Sequence, residues 1–451
     1  MATHMGRQRA ISVLLALALS SAGVSAAAAA KTQAAAPERL SLGRAIEEAL
    51  ARSPRLSAVR ERSAAAAYEA SAAARSRWGS LSAVGSYKWL NDAQILRVMS
   101  RELVGKGITG MPFDRSQLHY GLVYEIPLYL GGKLYNQIKI AELEKEKAAV
   151  LAEGARWQTR FNVISIYTAV QTAEAVSGAL DEQLAALGKT KARIDQMVAL
   201  GKRPEADRLK VIDEIESVRS ARAEAWAQRQ RAAALLLALL GREEFAPVAV
   251  DPISEAAPAL MMDRSRLEAF LEKNSAARRA DLTARQAERR VRTARSEFLP
   301  RVFAGADLQE HSGLESDRDL DTWSLGVSVS IPIFEGTTRI QRLAAAKRAR
   351  EAAVIEARKT RLDLRAELEG ALAGFDAAKA KVASGRARVA AAQEAARIER
   401  IRYETQAGTI EDLLRAEARL ESAKAALAAA LAERLRAAER INAIVEEEAV
   451  K

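Results

Sequence analysis

Two periodicities alternate along this chain. From Trp323 every second residue is apolar (Trp323, Leu325, Val327, Val329, Ile331), with Ser324, Gly326, Ser328 and Ser330 between them. From Leu118 the apolar row is Leu118, Tyr120, Leu122, Tyr124 and Ile126, against His119, Gly121, Val123 and Glu125. A repeat of two with one apolar and one small or polar face predicts strands, here over about residues 81–89, 118–128, 302–308 and 323–333. Elsewhere the pattern changes. Residues 132–200, 204–241, 338–406 and 409–446 are rich in Ala, Glu, Arg, Lys and Leu, the good helix formers. After Pro127 the next proline is Pro204, and none follows Pro332. A helix of roughly 65–70 residues would be on the order of 100 Å long. No compact domain requires that; such a pattern marks a coiled coil, a helical array or a spanning rod.

Stripes of apolar residues run along these segments. One is Leu180, Leu184, Leu187, Ile194 and Val198; another is Leu368, Leu372, Phe375, Val382 and Val389; Leu413, Leu420 and Leu427 recur at sevens. They predict antiparallel coiled-coil packing. Lys191, Lys379 and Arg386 interrupt them. Two readings stand: a helix face that meets water or a neighbouring copy, or ordinary coiled-coil imperfection. Shorter helices are expected from Ser41, which can cap a segment through Ala51, from Pro54 to about Trp78, and from Ser275 to Phe298.

The order helix, strand, strand, long helix, helix occurs twice. Ile126-Pro127-Leu128-Tyr129-Leu130-Gly131 recurs as Ile331-Pro332-Ile333-Phe334-Glu335-Gly336, and Ala199-Leu200-Gly201 with Asp207 recurs as Gln406-Ala407-Gly408 with Asp412. A period of roughly 200 residues is too long for a solenoid, so the chain reads as a tandem duplication. The halves are residues 27–241 and 263–451, joined by a linker over 242–262 that holds Pro247, Pro252 and Pro258.

An alternating strand suits a soluble sandwich, core against water, or a membrane barrel, lipid against a wet lumen. Tyr87, Trp89, Tyr120, Tyr124, Tyr129 and Trp323 lie in or just beyond the strands, as an interfacial aromatic girdle would. Four strands cannot close a barrel, and open edges are not tolerated in lipid. Strands in a membrane therefore require several copies to share one barrel. The leader points the same way. Arg7 and Arg9 precede an apolar run from Ala10 to Leu19 and small residues through Ala30, a secretory signal over residues 1–26, cleaved after Ala26. With no cysteine in the chain, disulfides and a cysteine-borne lipid are excluded. No later segment reaches the ~20 apolar residues of a spanning helix.

The net charge of +11 raises nucleic acid as a partner, but an exported chain rarely meets it, and the Arg residues are scattered among Glu. The densest basic patch is Arg278, Arg279, Arg285, Arg289, Arg290, Arg292 and Arg295. It reads as a solvated helix face or as a contact for anionic lipid headgroups.

The duplicated order, with strand pairs ending in Ile-Pro-Leu-Tyr-Leu-Gly-Gly and Ile-Pro-Ile-Phe-Glu-Gly before proline-free helices, resembles the TolC-type outer membrane efflux protein family across nearly the whole mature chain. The resemblance implies a mainly α fold with membrane β: a homotrimer whose protomers each give four strands to a shared twelve-stranded barrel, continued by a periplasmic α-helical barrel. It implies a tube that docks with a periplasmic adaptor and an inner-membrane transporter. It also implies acidic residues ringing a closed periplasmic mouth. Asp412 falls where the family's aperture aspartate is expected, and Arg415 where a second aspartate can stand. A three-fold ring of Asp412 would bind cations, and Arg415 would neutralise it. Asp412 also reads as a helix-start acid favoured by the dipole, and Asp207 as its counterpart stabilising the first turn. Gly201 and Gly408 are expected to end the long helices in the left-handed conformation, with adaptor docking on the tips around 198–207 and 405–413.

Enzymatic chemistry finds no footing. The histidines are His4, in the leader, His119 on the polar strand face and His311 in a predicted loop; their spacing gives no metal motif. Gly188-Lys189-Thr190 ends like a phosphate loop, but Gln183 stands where its first glycine belongs and no strand precedes it. No cofactor is expected. The sequence therefore predicts a passive exit duct in the outer membrane, serving tripartite efflux or type I secretion, with Trp323, Leu325, Val327, Val329 and Ile331 toward lipid. The alternative, a periplasmic coiled-coil adaptor or scaffold, explains the helices and leaves the strands without purpose.

Overall fold

The computed structural model describes residues 38–97, 99–105, 107 and 111–450; the expected leader, residues 1–26, lies outside the described residues. The first half runs β1 (Glu38–Leu40), α1 (Leu42–Arg52), α2 (Pro54–Arg75), a 3-10 turn (Ser76–Trp78), β2 (Ser80–Ile95), the short α3 (Arg101–Gly105), β3 (Phe113–Leu130), α4 (Lys133–Ala199) and α5 (Glu205–Leu240). The second runs β4 (Val248–Val250), α6 (Arg264–Leu271), α7 (Ser275–Ser296), β5 (Arg301–Gly313), β6 (Arg318–Ser330), α8 (Thr338–Glu404) and α9 (Ile410–Val445).

Local chemistry sets the short-helix starts. Ser41 caps α1 by accepting from the Arg44 amide at 3.4 Å, and Pro54 occupies the first turn of α2, where no amide donor is needed. The halves match element for element. The long helices α4 and α8 have 67 residues each, about 100 Å, and their partners α5 and α9 have 36 each. Every boundary of the second hairpin lies 205 residues after its counterpart: Lys133 and Thr338, Ala199 and Glu404, Glu205 and Ile410, Leu240 and Val445.

Four strands form one antiparallel sheet in the order β2-β3-β5-β6. They are longer than the alternation alone predicts. β2 continues to Ile95 through a register shift between Trp89 and Gln94, because the β3 ladder keeps pairing after the apolar rhythm has ended. β6 stops at Ser330, so Ile331 lies just outside it: Ser330 pairs with Arg301, the first residue of β5, and nothing remains for Ile331 to pair with. His311, expected in a loop, is in β5 and pairs with His119. A second, two-stranded sheet takes one strand from where the sequence predicts a linker. Val248–Val250, within the expected linker, runs parallel to Glu38–Leu40.

The core is strung along the helices. Around β1 and β4 it gathers Leu40, Ala49, Val163, Tyr167, Leu236 and Leu240. Tyr167, fully buried, pins both short strands: its hydroxyl donates to the Leu40 carbonyl at 2.8 Å and accepts from the Asp251 amide at 2.9 Å. The second half repeats this with Leu267, Leu271, Leu364, Leu368, Phe375 and Ile441. A third cluster, near the helix tips, joins both hairpins through Leu187, Ile194, Val211, Tyr403, Ile410 and Leu413. The bases that interrupt the stripes find acids: Lys191 meets Asp195, Lys379 meets Asp376, and Arg386 reaches Glu255 in the segment between the halves. In the basic patch on α7, Arg278 meets Glu153 and Arg292 meets Glu288.

Candidate functional site

Pairing across the four-stranded sheet gathers the alternating rows onto common faces. Leu81 stands opposite Tyr124, Leu122 opposite Leu308, Leu308 opposite Trp323, and Ala306 opposite Leu325. Over these rows one face is therefore apolar from strand to strand; beyond them, toward the loop end, the same face carries Glu310, Ser312, Asp319 and Asp321. It is uncovered: Trp323 and Leu325 are 76% and 77% exposed, and Val327 and Val329 are also exposed. The other face carries Ser86, His119, Asp307, His311, Thr322 and Ser324. Side chains bond along it: His119 Nδ1 meets His311 Nδ1 at 2.6 Å, His311 Nε2 meets Thr322 Oγ1 at 2.9 Å, and Ser324 donates to Asp307. Both outer strands, β2 and β6, have a partner on one side only.

At the far end of the sheet the chain ties its own loops together. Asp114 accepts from the backbone amides of Ser116, Ser316 and Glu315, which joins the start of β3 to the β5–β6 turn. Arg318 donates to the Met111 carbonyl, and Arg97 to that of Asp321. Among the described residues, no helix is long and apolar enough to cross a membrane, and no group of three or more His, Cys, Asp or Glu is placed to hold a metal.

The other candidate region is the pair of helix tips. In the first, Gly201 takes the left-handed conformation at φ 68°, and the following amide, Lys202, bonds back to the Met197 carbonyl at 2.8 Å, the ending expected of a C-terminal glycine. In the second, Gly408 does not have this role. The left-handed residue is Gln406, at φ 62°, and the Ala407 amide bonds to the Arg402 carbonyl at 2.8 Å. The left-handed residue thus lies two positions before the glycine expected to end the helix, and the tips align Gly201 with Gln406.

The two acids also part ways. Thr409 caps α9: its hydroxyl accepts from the Asp412 amide at 3.1 Å and donates to the Asp412 carboxylate at 2.7 Å. That hydroxyl holds the Asp412 carboxyl below the usual aspartate range, with help from Arg415 and Arg402. Arg415 itself pairs with Glu411 at 3.1 Å. Asp207 instead faces Arg203 at 3.8 Å, with little of either side chain exposed. Arg203 lies over the Tyr403 ring at 4.6 Å and donates to the Tyr403 carbonyl at 3.4 Å. It thus ties the first tip to the second. Arg193–Glu404, Lys210–Glu411 and Lys424–Glu182 cross the same seam. Each exposed pair is worth little alone; their alignment fixes the register of one hairpin on the other. No local pattern marks Arg203 or Tyr403, because nothing local tells a solvated arginine from one that crosses a seam.

The family model described as outer membrane efflux protein matches residues 45–242 and 267–445. Outer membrane protein OprJ of Pseudomonas aeruginosa is 27% identical over 228 residues, which is 48% of this chain and about half (46%) of that relative. Among solved structures, the CmeC outer membrane channel of Campylobacter jejuni superposes with a TM-score of 0.77 at 17% identity, covering 90% of this chain and 86% of that one. The outer membrane protein VceC of Vibrio cholerae does so with 0.74 at 20% identity, covering 90% and 96%. These likenesses show the fold: strand domain, duplicated halves and long helices together.

Proposed function

The chain belongs to the outer membrane efflux protein family, and from that premise we propose that three copies form a passive export duct through the outer membrane. The observation that carries this reading is the four-stranded sheet with an uncovered apolar face and two open edges. In lipid, backbone groups at such edges need partners. Three copies supply them by joining β6 of one to β2 of the next, which closes a twelve-stranded barrel with its apolar face toward lipid and its polar face toward water. Residues 27–241 and 263–451 act as the two structural repeats, joined through 242–262. The helical hairpins continue the bore into the periplasm. Exposed apolar residues on α8, among them Val354, Ile355, Leu362 and Ile398, provide surface for packing against neighbouring copies.

In this reading the tips close the periplasmic end. Asp412, repeated three-fold, concentrates negative charge in a neck, and Arg415 and Asp207 shape it from nearby. The turns at Gly201 and Gly408 offer the surface on which a periplasmic adaptor docks. In this reading the duct is passive, and an inner-membrane transporter supplies the energy. The adaptor alternative leaves the sheet without a role.

The test is Val327→Arg. A guanidinium on the lipid face near the bilayer midplane costs roughly 2–4 kcal/mol, so outer-membrane trimers recovered in detergent should fall sharply. Undiminished trimer yield, or recovery of the wild-type chain as a water-soluble periplasmic monomer, overturns the reading.

A further inference from the structure

We propose that His119 and His311 form a two-nitrogen site for a divalent transition metal of the Cu2+ or Ni2+ type, on the inner wall of the barrel near its outer mouth. The placement rests on the reading of the polar sheet face as a lumen wall. The ligands themselves come from a single copy.

The two residues are far apart in sequence and stand directly opposite across the β3–β5 ladder. Their rings meet edge to face with centroids 4.8 Å apart, and the two Nδ1 atoms are 2.6 Å apart. The surrounding bonds assign the protons. The Gln309 carbonyl can only accept, so Thr322 donates to it, at 3.4 Å. The Thr322 oxygen then accepts from His311 Nε2–H at 2.9 Å. A neutral His311 so arranged has a bare Nδ1, which accepts from His119 Nδ1–H. When His119 moves that proton to its own Nε2, both Nδ1 atoms carry free lone pairs, and a small rotation of the two rings lets them share one ion with no net proton released. Thr322 orients His311 as a supporting partner orients a metal-binding imidazole.

The spacing selects among metals. With metal–nitrogen bonds of about 2.0–2.1 Å, two ligands at a right angle are about 2.9 Å apart and a tetrahedral pair about 3.3 Å apart. The 2.6 Å between them is the length of their hydrogen bond; parting by about 0.3 Å reaches the right-angle arrangement, the tetragonal geometry that Cu2+ and Ni2+ adopt with nitrogen ligands, whereas a tetrahedral pair needs about twice that movement. Water on the polar face completes the coordination. Lys88 stands on the same face, one step beyond Ser86, which pairs with His119. Arg97 is held at the Asp321 carbonyl nearby. These charges oppose a dication and keep the site weaker than a closed one. No cysteine competes, and the remaining histidine, His4, falls in the expected leader.

The experiment uses the untagged, detergent-solubilised full-length channel, titrated with CuCl2 alone and followed by equilibrium dialysis and electron paramagnetic resonance. The expected result is one Cu2+ per protomer with a tetragonal spectrum split by two imidazole nitrogens. H119Q and H311Q, verified as assembled channels by sizing, should each weaken binding by at least the ~10–100-fold that losing even a supporting partner costs a metal site. T322V, which keeps both ligands, should weaken it less. Unchanged affinity in either glutamine variant overturns the site. Should the variants fail to assemble, the wild-type spectrum decides: coupling to fewer than two nitrogens also overturns it. In planar bilayers, Cu2+ added from the outer side should lower conductance. Binding with unaltered conductance leaves the chelate standing and overturns its position on the lumen wall, which separates this site from the duct reading.

Discussion

The two helix tips share a backbone plan, 205 residues apart, and use it differently. Gly201 matches Gln406, Arg203 matches Gly408, Pro204 matches Thr409, and Asp207 matches Asp412. The first tip ends its helix on an unstrained glycine, starts the next behind a proline that offers no side-chain cap, and sends Arg203 across to Tyr403. The second tip holds a glutamine in the left-handed region and secures its own turn through Thr409 and Asp412. One tip reaches over; the other caps itself. A duplicated backbone therefore fixes where a turn falls without fixing what its side chains do.

The comparison breaks most visibly at Arg203. Replacing it with alanine removes a cation–π contact and a charged hydrogen bond, on the order of 2 kcal/mol together. The seam between hairpins should then open to limited proteolysis, whereas Gly408→Ala, at the matched position, should leave it protected. Equal nicking in both would remove the asymmetry.

Next come the left-handed residues. Gly201→Ala should destabilise by about 1 kcal/mol, because a side chain is disfavoured there, and Gln406→Gly should stabilise by up to a similar amount. Denaturation midpoints check the signs; shifts in the same direction would contradict the strain at Gln406.

Thr409→Ala should cost about 1 kcal/mol of helix stability through the lost cap. Pro204→Ser, which gives the first tip an equivalent oxygen, should gain some of it back, as read by thermal melts followed by circular dichroism.

The smallest effect is that of pH on Asp412. Its folded pKa is lowered, chiefly by the Thr409 hydroxyl, so the folded chain binds this proton more weakly than the unfolded one. The stabilisation is present above the ordinary aspartate range and is lost as pH falls through the lowered folded value. Asp412→Asn should flatten that part of the acid titration of stability. Asp412→Ala should also relieve block by multivalent cations in single-channel recordings; identical block would take this residue out of the aperture.

Some of the molecule was open to reading from residues alone. Alternation at every second position marks a strand wherever its two faces meet different surroundings, and the row Trp323, Leu325, Val327, Val329 did so without help from elsewhere. Long proline-free stretches of good helix formers could be little else. Other features stayed hidden. The β1–β4 pair is three residues on each side, too short to show a period. Gln406 carries no glycine signal, although it holds the left-handed conformation expected of Gly408.

Residue spacing alone specified the long helices, the centres of the four long strands, the duplication and the alternation of faces along each strand, because these follow from spacings of two to seven residues along one segment. Which residues meet was settled by packing in three dimensions: His119 with His311, Arg203 with Tyr403, Tyr167 with Leu40 and Asp251. Such pairings depend on the register between segments distant in sequence. That register is set by ladders and helix packing over the whole molecule, which no local pattern encodes.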